Sequence, residues 1–204
     1  MKVLLIDDHA MIRAGLAQLC TALWDAQVLE ADTGSAALSL QKSERPQVTV
    51  LDLNMPGLSG LELLRRLLQA DGAARVLVFT MHGEPAYAAR ALEIGARGYL
   101  SKNASPQELR NGLTRVAAGL TYVEGEIAQS LAAMPGRQSL SERDLEILRL
   151  LGEGRSFSEI AAAMGLGYKT VANAATLIKS KLGVARTADL IRLSVEMGIG
   201  RQTV

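Results

Sequence analysis

Val48-Thr49-Val50-Leu51-Asp52-Leu53-Asn54-Met55-Pro56-Gly57 is the stretch from which the fold can be worked out. Its first residues are continuously apolar or β-branched, the pattern of a strand buried on both faces, as in a parallel sheet. Regular structure must then stop, because Pro56 cannot donate to a strand ladder or continue a helix and Gly57 supplies the freedom for a turn. The run delivers a carboxylate, Asp52, to the end of a buried strand. A charge in that position either caps a loop or reacts.

Working outward, residues 2–6 form a second apolar run that ends in the acidic pair Asp7-Asp8. Residues 75–80 form a third, ending in Thr80, and residues 98–101 a fourth, followed by Lys102. Residues 27–31 read as a weaker strand. Apolar residues recur at helical spacing between these runs, as in Met11, Ile12, Leu16, Leu19, Cys20 and Leu23. Further helices are expected over residues 35–44, around Leu61 to Leu68, and over 84–94. A last one starts at Ser105 as N-cap, with Pro106 at its first position and Glu108 closing a capping box. Five strands alternating with five helices over residues 1–120 predict a doubly wound α/β domain, flavodoxin-like, with a five-stranded parallel sheet.

Residues 121–139 are expected to be a linker with a short helix over 127–134, and 134–138 have a turn-rich composition. Beyond them only helices are predicted. Ser141 with Asp144, and Ser156 with Glu159, open the first two. Residues 169–182 form a third, and residues 187–197 a fourth. Residues 140–204 are therefore a small all-α domain.

Composition excludes little. The 22 basic and 21 acidic residues nearly balance, so net charge names no partner. The 1 cysteine, Cys20, permits neither an internal disulfide nor a cysteine metal cluster and fits a cytoplasmic protein. No apolar stretch approaches the roughly 20 residues that span a bilayer. A phosphate-binding Gly-x-x-x-x-Gly-Lys-Ser/Thr loop is missing, so nucleotide hydrolysis lacks support.

In an open α/β sheet, functional groups gather beyond the carboxyl ends of the strands. With the first and third strands adjacent, Asp7, Asp8 and Asp52 converge, and such carboxylates repel unless a cation holds them. Oxygen ligands alone suit Mg²⁺. With Lys102 and Thr80 alongside, the set is what phosphoryl transfer to an aspartate needs. Polar residues at strand ends are ordinary one at a time, but this combination in chain order is not. A magnesium-dependent phosphatase is the competing enzyme reading; the adjacent acidic pair and the lack of a substrate-specificity insert argue against it. His9 and His82 are read as loop residues near the crevice.

Residues 1–118 resemble the receiver domain of bacterial response regulators, through Asp7-Asp8, Asp52-x-Asn54-Met55-Pro56-x-x-x-Gly60, Thr80, Tyr99 and Lys102. The resemblance implies that a sensor histidine kinase phosphorylates Asp52. It implies Mg²⁺ on Asp8, with Asp7 nearby and Asp52 and the Asn54 backbone carbonyl completing the ligands. Thr80 and Tyr99 would be the switch pair.

Residues 156–164, a glycine-bearing turn and residues 169–182 have the layout of a DNA-binding helix-turn-helix. Val171, Ala174, Ala175, Ile178 and Leu182 should pack inward, leaving Lys169, Thr170, Asn173, Thr176, Lys179 and Lys181 as candidate DNA contacts. Residues 139–204 resemble the LuxR-type output domain through Leu140-Ser141-x-Arg143-x-x-x-Ile147-Leu148, Glu159-Ile160-Ala161, Lys169-Thr170-Val171 and Lys181-Leu182-Gly183-Val184. The whole chain thus resembles a NarL/FixJ-type response regulator, not a metabolic enzyme. That implies a homodimer on double-stranded promoter DNA, at least when phosphorylated, a contact with RNA polymerase, and no membrane. Ala172 stands where that family usually has a basic residue, Ala174 where it commonly has His, and Gly167 where it has a hydroxyl N-cap. Those small residues motivate the alternative of a receiver whose helical domain binds another protein and DNA weakly or not at all.

Overall fold

The computed structural model describes residues 1–55, 60–81, 83, 85–133 and 141–196. The turn at Pro56-Gly57, His82, the 134–138 stretch, Leu140 and the chain after residue 196 lie outside them. The chain divides into two compact units, one of residues 1–83 and 87–128, the other of residues 84–86 and 129–204.

The first unit alternates strand and helix: β1 (Lys2–Ile6), α1 (Ala10–Trp24), β2 (Gln27–Ala31), α2 (Gly34–Glu44), β3 (Val48–Leu51), α3 (Gly60–Ala70), β4 (Val76–Thr80), α4 (Pro85–Ile94), β5 (Gly98–Ser101) and α5 (Pro106–Ala117). A sixth strand, β6 (Tyr122–Val123), and α6 (Gly125–Ala133) follow. The sheet is parallel throughout, in the order β2-β1-β3-β4-β5-β6. The expected five-stranded sheet is thus corrected to six. β6 escaped the sequence reading because two residues are too short for any periodicity, and pairing to β5 is what makes them a strand.

The strands are apolar on both sides for a visible reason. Val3, Leu5, Val48, Val50, Leu77, Phe79 and Leu100 form one cluster with Leu16 and Cys20 of α1 and Leu113 and Val116 of α5. Their alternates Leu4, Ile6 and Leu51 are no more than 1% exposed on the other side. Burial pushes the Cys20 thiol up to about 11, so it behaves as a small core residue. β3 ends at Leu51, one residue before the acid, and the register pairs Ile6 with Leu51. The backbone N–H of Asp52 then donates to the Ile6 carbonyl at 2.8 Å, which sets Asp7 and Asp52 side by side. Likewise Thr80 pairs with Ser101, and the Lys102 N–H donates to the Thr80 carbonyl at 2.8 Å.

The second unit is helical: α7 (Glu142–Gly152), α8 (Phe157–Met164), α9 (Tyr168–Leu182) and α10 (Thr187–Glu196). The capping boxes expected at Ser105/Glu108, Ser141/Asp144 and Ser156/Glu159 all form. Ile147, Leu148, Ile160, Val171, Ile178, Leu190 and Leu193 are fully buried, and the Ser194 hydroxyl ties α10 to α7 by donating to the Leu148 carbonyl at 2.7 Å.

Gly60 fixes how closely α3 meets the end of β3. A Cβ there would lie 2.3 Å from the Leu53 backbone. Gly60→Ala is expected to cost the first unit on the order of 1–3 kcal/mol, read as a lower denaturation midpoint. A midpoint equal to wild type would show that the approach is loose.

Candidate functional site

Three strands deliver the charged groups. Asp7, just past β1, and Asp52, just past β3, are 2% and 1% exposed, while Asp8 is open to solvent. Lys102, just past β5, reaches between them, its Nζ 2.7 Å from Asp7 Oδ2 and 2.7 Å from Asp52 Oδ2. Each acid spends its other oxygen on a backbone donor: the Asn54 N–H on Asp52 Oδ1 at 3.0 Å, the His9 N–H on Asp7 Oδ1 at 2.8 Å. Burial alone would push the Lys102 pKa down. Its hydrogen bonds to Asp52 and Asp7, with the attraction of both charges, outweigh that and leave it raised, so the ammonium stays charged at neutral pH.

Even so the pocket is short of positive charge. One ammonium faces Asp7, Asp52 and the nearby Asp8. Ligand atoms of Asp7, Asp8, His9 and Asp52 all lie within 4.8 Å of one another. Clustered hard oxygens with unspent lone pairs and excess negative charge fit a small divalent cation. At the end of β4, Thr80 is fully buried and its Oγ1 finds no hydrogen-bond partner. A buried hydroxyl left unpaired costs about 1–3 kcal/mol, and a group arriving beside it with free acceptors would recover that. Tyr99 is fully buried on β5, two residues before the partner of Thr80.

In the second unit, α8 ends at Gly165 in the left-handed conformation (φ 65°), a short turn follows, and α9 begins without a side-chain cap at Gly167. Val171, Ala175 and Ile178 are buried, whereas Lys169, Thr170, Asn173 and Thr176 are exposed. Ala172 and Ala174 are half-buried.

Family models match both halves: the response regulator receiver domain over residues 3–114, and the luxR family of bacterial regulatory proteins over residues 138–194. The chain is a two-component response regulator. It is 40% identical to the transcriptional activator protein ExaE of Pseudomonas putida, over 98% of this chain and 99% of that one. It is 41% identical to the transcriptional regulatory protein UhpA of Escherichia coli K12, over 93% and 95%. Its fold matches RcsB of Salmonella enterica serovar Typhimurium, solved bound to a promoter with phosphomimetic BeF3−, with a TM-score of 0.87 over 97% of this chain and 98% of that one, at 24% identity. Receiver and LuxR-type helix-turn-helix are thus both present in this regulator.

The structure brings Asp7, Asp8, Asp52 and Lys102 together, with the Asn54 N–H on Asp52. Lys181 is a different case. A candidate DNA contact by its helical position, it also meets Asp144 of α7 at 2.7 Å, because the packing of α7 on α9 puts a carboxylate within its reach. Its charge is compensated inside the unit. Lys179 is half-buried.

Two further residues of the regulator's receiver stand out. His9 is an intimate part of the cluster, its Nδ1 3.1 Å from Asp7 Oδ1 and 2.8 Å from Asp8 Oδ1. Glu124, 8% exposed, accepts the Ser101 N–H at 2.7 Å, and its own N–H donates to the Tyr99 carbonyl at 3.1 Å. It therefore ties the segment leading to α6 onto the strand that carries Tyr99 and precedes Lys102. An acid between a two-residue apolar run and a helix start is the only sequence trace of it.

Lys181→Met should lower the stability of the helical unit by about 1 kcal/mol at neutral pH. Burial would raise the Asp144 pKa, but hydrogen bonds from Lys181 and Ser141 and the attraction of Lys181 hold it below its ordinary 3.8. A depressed carboxylate pKa stabilises the fold above that ordinary value and ceases to do so as pH falls through the folded-state value. The gap between wild type and variant should accordingly close under acid titration. A gap unchanged after Asp144 is protonated would assign the loss to packing instead.

Proposed function

We propose that Asp52 accepts a phosphoryl group from a sensor histidine kinase and that this governs promoter binding by the helix-turn-helix. The carrying observation is Lys102 held at 2.7 Å by both Asp7 and Asp52, with the unpartnered Thr80 hydroxyl at the end of β4, the strand between β3 and β5. A carboxylate oxygen of Asp52 attacks phosphorus as the bond to the kinase's phosphohistidine nitrogen breaks, and the histidine recovers its neutral imidazole. Lys102 neutralises charge on the transferring phosphoryl oxygens. Thr80 donates its idle proton to a phosphoryl oxygen and Tyr99 follows as the second switch residue. Mg²⁺, held by Asp7, Asp8, Asp52 and the Asn54 carbonyl, would supply the remaining neutralising charge and hold the phosphoryl group in line.

The output follows from the family. Phosphorylation would favour a homodimer whose two α9 helices enter the major groove at two half-sites, contacting DNA through Lys169, Thr170, Asn173, Thr176 and Lys179. Lys181 belongs to the same candidate set, and in the free protein it is paired with Asp144. Relatives described as a transcriptional activator and a promoter-bound regulator support this reading over a protein-docking module. A contact with RNA polymerase and residence in the cytoplasm, beside the kinase's catalytic domain, belong to the same reading. No described helix is long and apolar enough to cross a membrane.

Intact mass after treatment with a small phosphodonor and Mg²⁺ should rise by one phosphoryl group in wild type and not in Asp52→Asn. A variant that still gains the group removes Asp52 from this role. Thr80→Ala should be phosphorylated but fail to gain DNA affinity on phosphorylation. For the output, duplex affinity should fall steeply with salt, since phosphate contacts supply much of it. Binding insensitive to salt would favour the protein-docking alternative.

A further inference from the structure

The exposed face of α9 is unusual in its chemistry. At 100° per residue, Lys169, Ala172, Asn173, Thr176, Leu177 and Ser180 fall on one arc of the helix. Leu177 is 61% exposed. Thr176 donates its hydroxyl proton to the Ala172 carbonyl at 3.0 Å, which leaves its methyl group and an acceptor facing out. Asn173 is exposed and carries a free amide edge. The helix sequence YKTVANAATLIKSKL holds no arginine and no acid, and its lysines lie at positions 169, 179 and 181, near its two ends.

Each base pair presents a different edge in the major groove. Guanine is read by Arg or Lys, cytosine by Asp or Glu, adenine by Asn or Gln, and the thymine 5-methyl by apolar groups. The centre of α9 carries no charged group for G·C pairs, only the Thr176 hydroxyl, which can serve either pair. It has one amide for adenine, and from Ala172, Thr176 and Leu177 a row of methyl groups. We propose that this helix selects A·T pairs by their thymine methyl groups, with Leu177 as the principal methyl contact and Asn173 on an adenine. The small residues at the reading face then replace charge by shape, and specificity comes from buried methyl surface. This rests on the DNA-binding reading above and goes beyond it by naming which bases are read and how.

The test uses the full-length phosphorylated protein. A randomised duplex library is enriched by binding at low salt. The best duplex is then rebuilt with each thymine in turn replaced by deoxyuridine, which removes only the 5-methyl and leaves pairing intact. The expected result is an A·T core in each half-site and, at one or more positions, a loss of about fourfold in affinity, the worth of one buried methyl. In Leu177→Ala that thymine-to-uracil ratio should shrink towards one, with the salt slope unchanged because no phosphate contact is lost. The exposed site makes misfolding of the variant a small risk, and the uracil series on wild-type protein is free of it altogether. Enrichment of a G·C core, or uracil tolerated at every position, overturns methyl readout while leaving DNA binding intact. A ratio unchanged in Leu177→Ala overturns the assignment to Leu177. A library from which no duplex is retained removes the DNA-binding reading itself, and this inference with it.

Discussion

The receiver depends on one buried cation. Lys102 Nζ bridges Asp7 and Asp52 with 4% or less of any of the three side chains exposed. Two carboxylates cannot stay ionised together in such a place unless a positive charge stands between them. The bridge therefore makes the acidic pocket possible, and it links the ends of β1, β3 and β5 across the sheet. It also leaves the pocket short of charge, since one ammonium is shared between two carboxylates and Asp8 lies beside them. A site so built is stable enough to persist and incomplete enough to bind.

The helical unit applies a different logic. Its helix starts are written locally, in serine and acid three residues apart, so their positions need little from the rest of the chain. Its charges are handled internally as well. Arg149 lies between Glu146 and Glu153, and Lys181 holds Asp144. What remains on the outward face of α9 between its terminal lysines is uncharged: Ala172, Asn173, Thr176, Leu177 and Ser180.

Local signals were legible in the sequence; consequences of packing were not. The strands ending at Ile6, Leu51, Thr80 and Ser101 could be read because burial on both faces leaves a continuous apolar run. The convergence of Asp7, Asp52 and Lys102 followed from strand order. The sixth strand could not be read, because Tyr122 and Val123 extend only through their partner. The ion pair of Lys181 was out of reach of the sequence for a related reason. Helical spacing gives its face, but the carboxylate it meets lies 37 residues away on another helix. The same holds for Glu124, whose bond to Ser101 spans 23 residues, and for the hydroxyl of Thr80, whose isolation is a property of its surroundings.

The order β2-β1-β3-β4-β5-β6 places Lys102 beyond the last long strand, 50 residues after the acid it holds. A chain emerging from synthesis presents Asp7, Asp8 and Asp52 well before that lysine exists. Until β5 docks, the acids lack their counter-charge and the pocket has no fixed geometry. Under the proposed chemistry, a half-made or partly unfolded regulator is deaf to its kinase. The site is thus a property of the completed sheet and of no part of it.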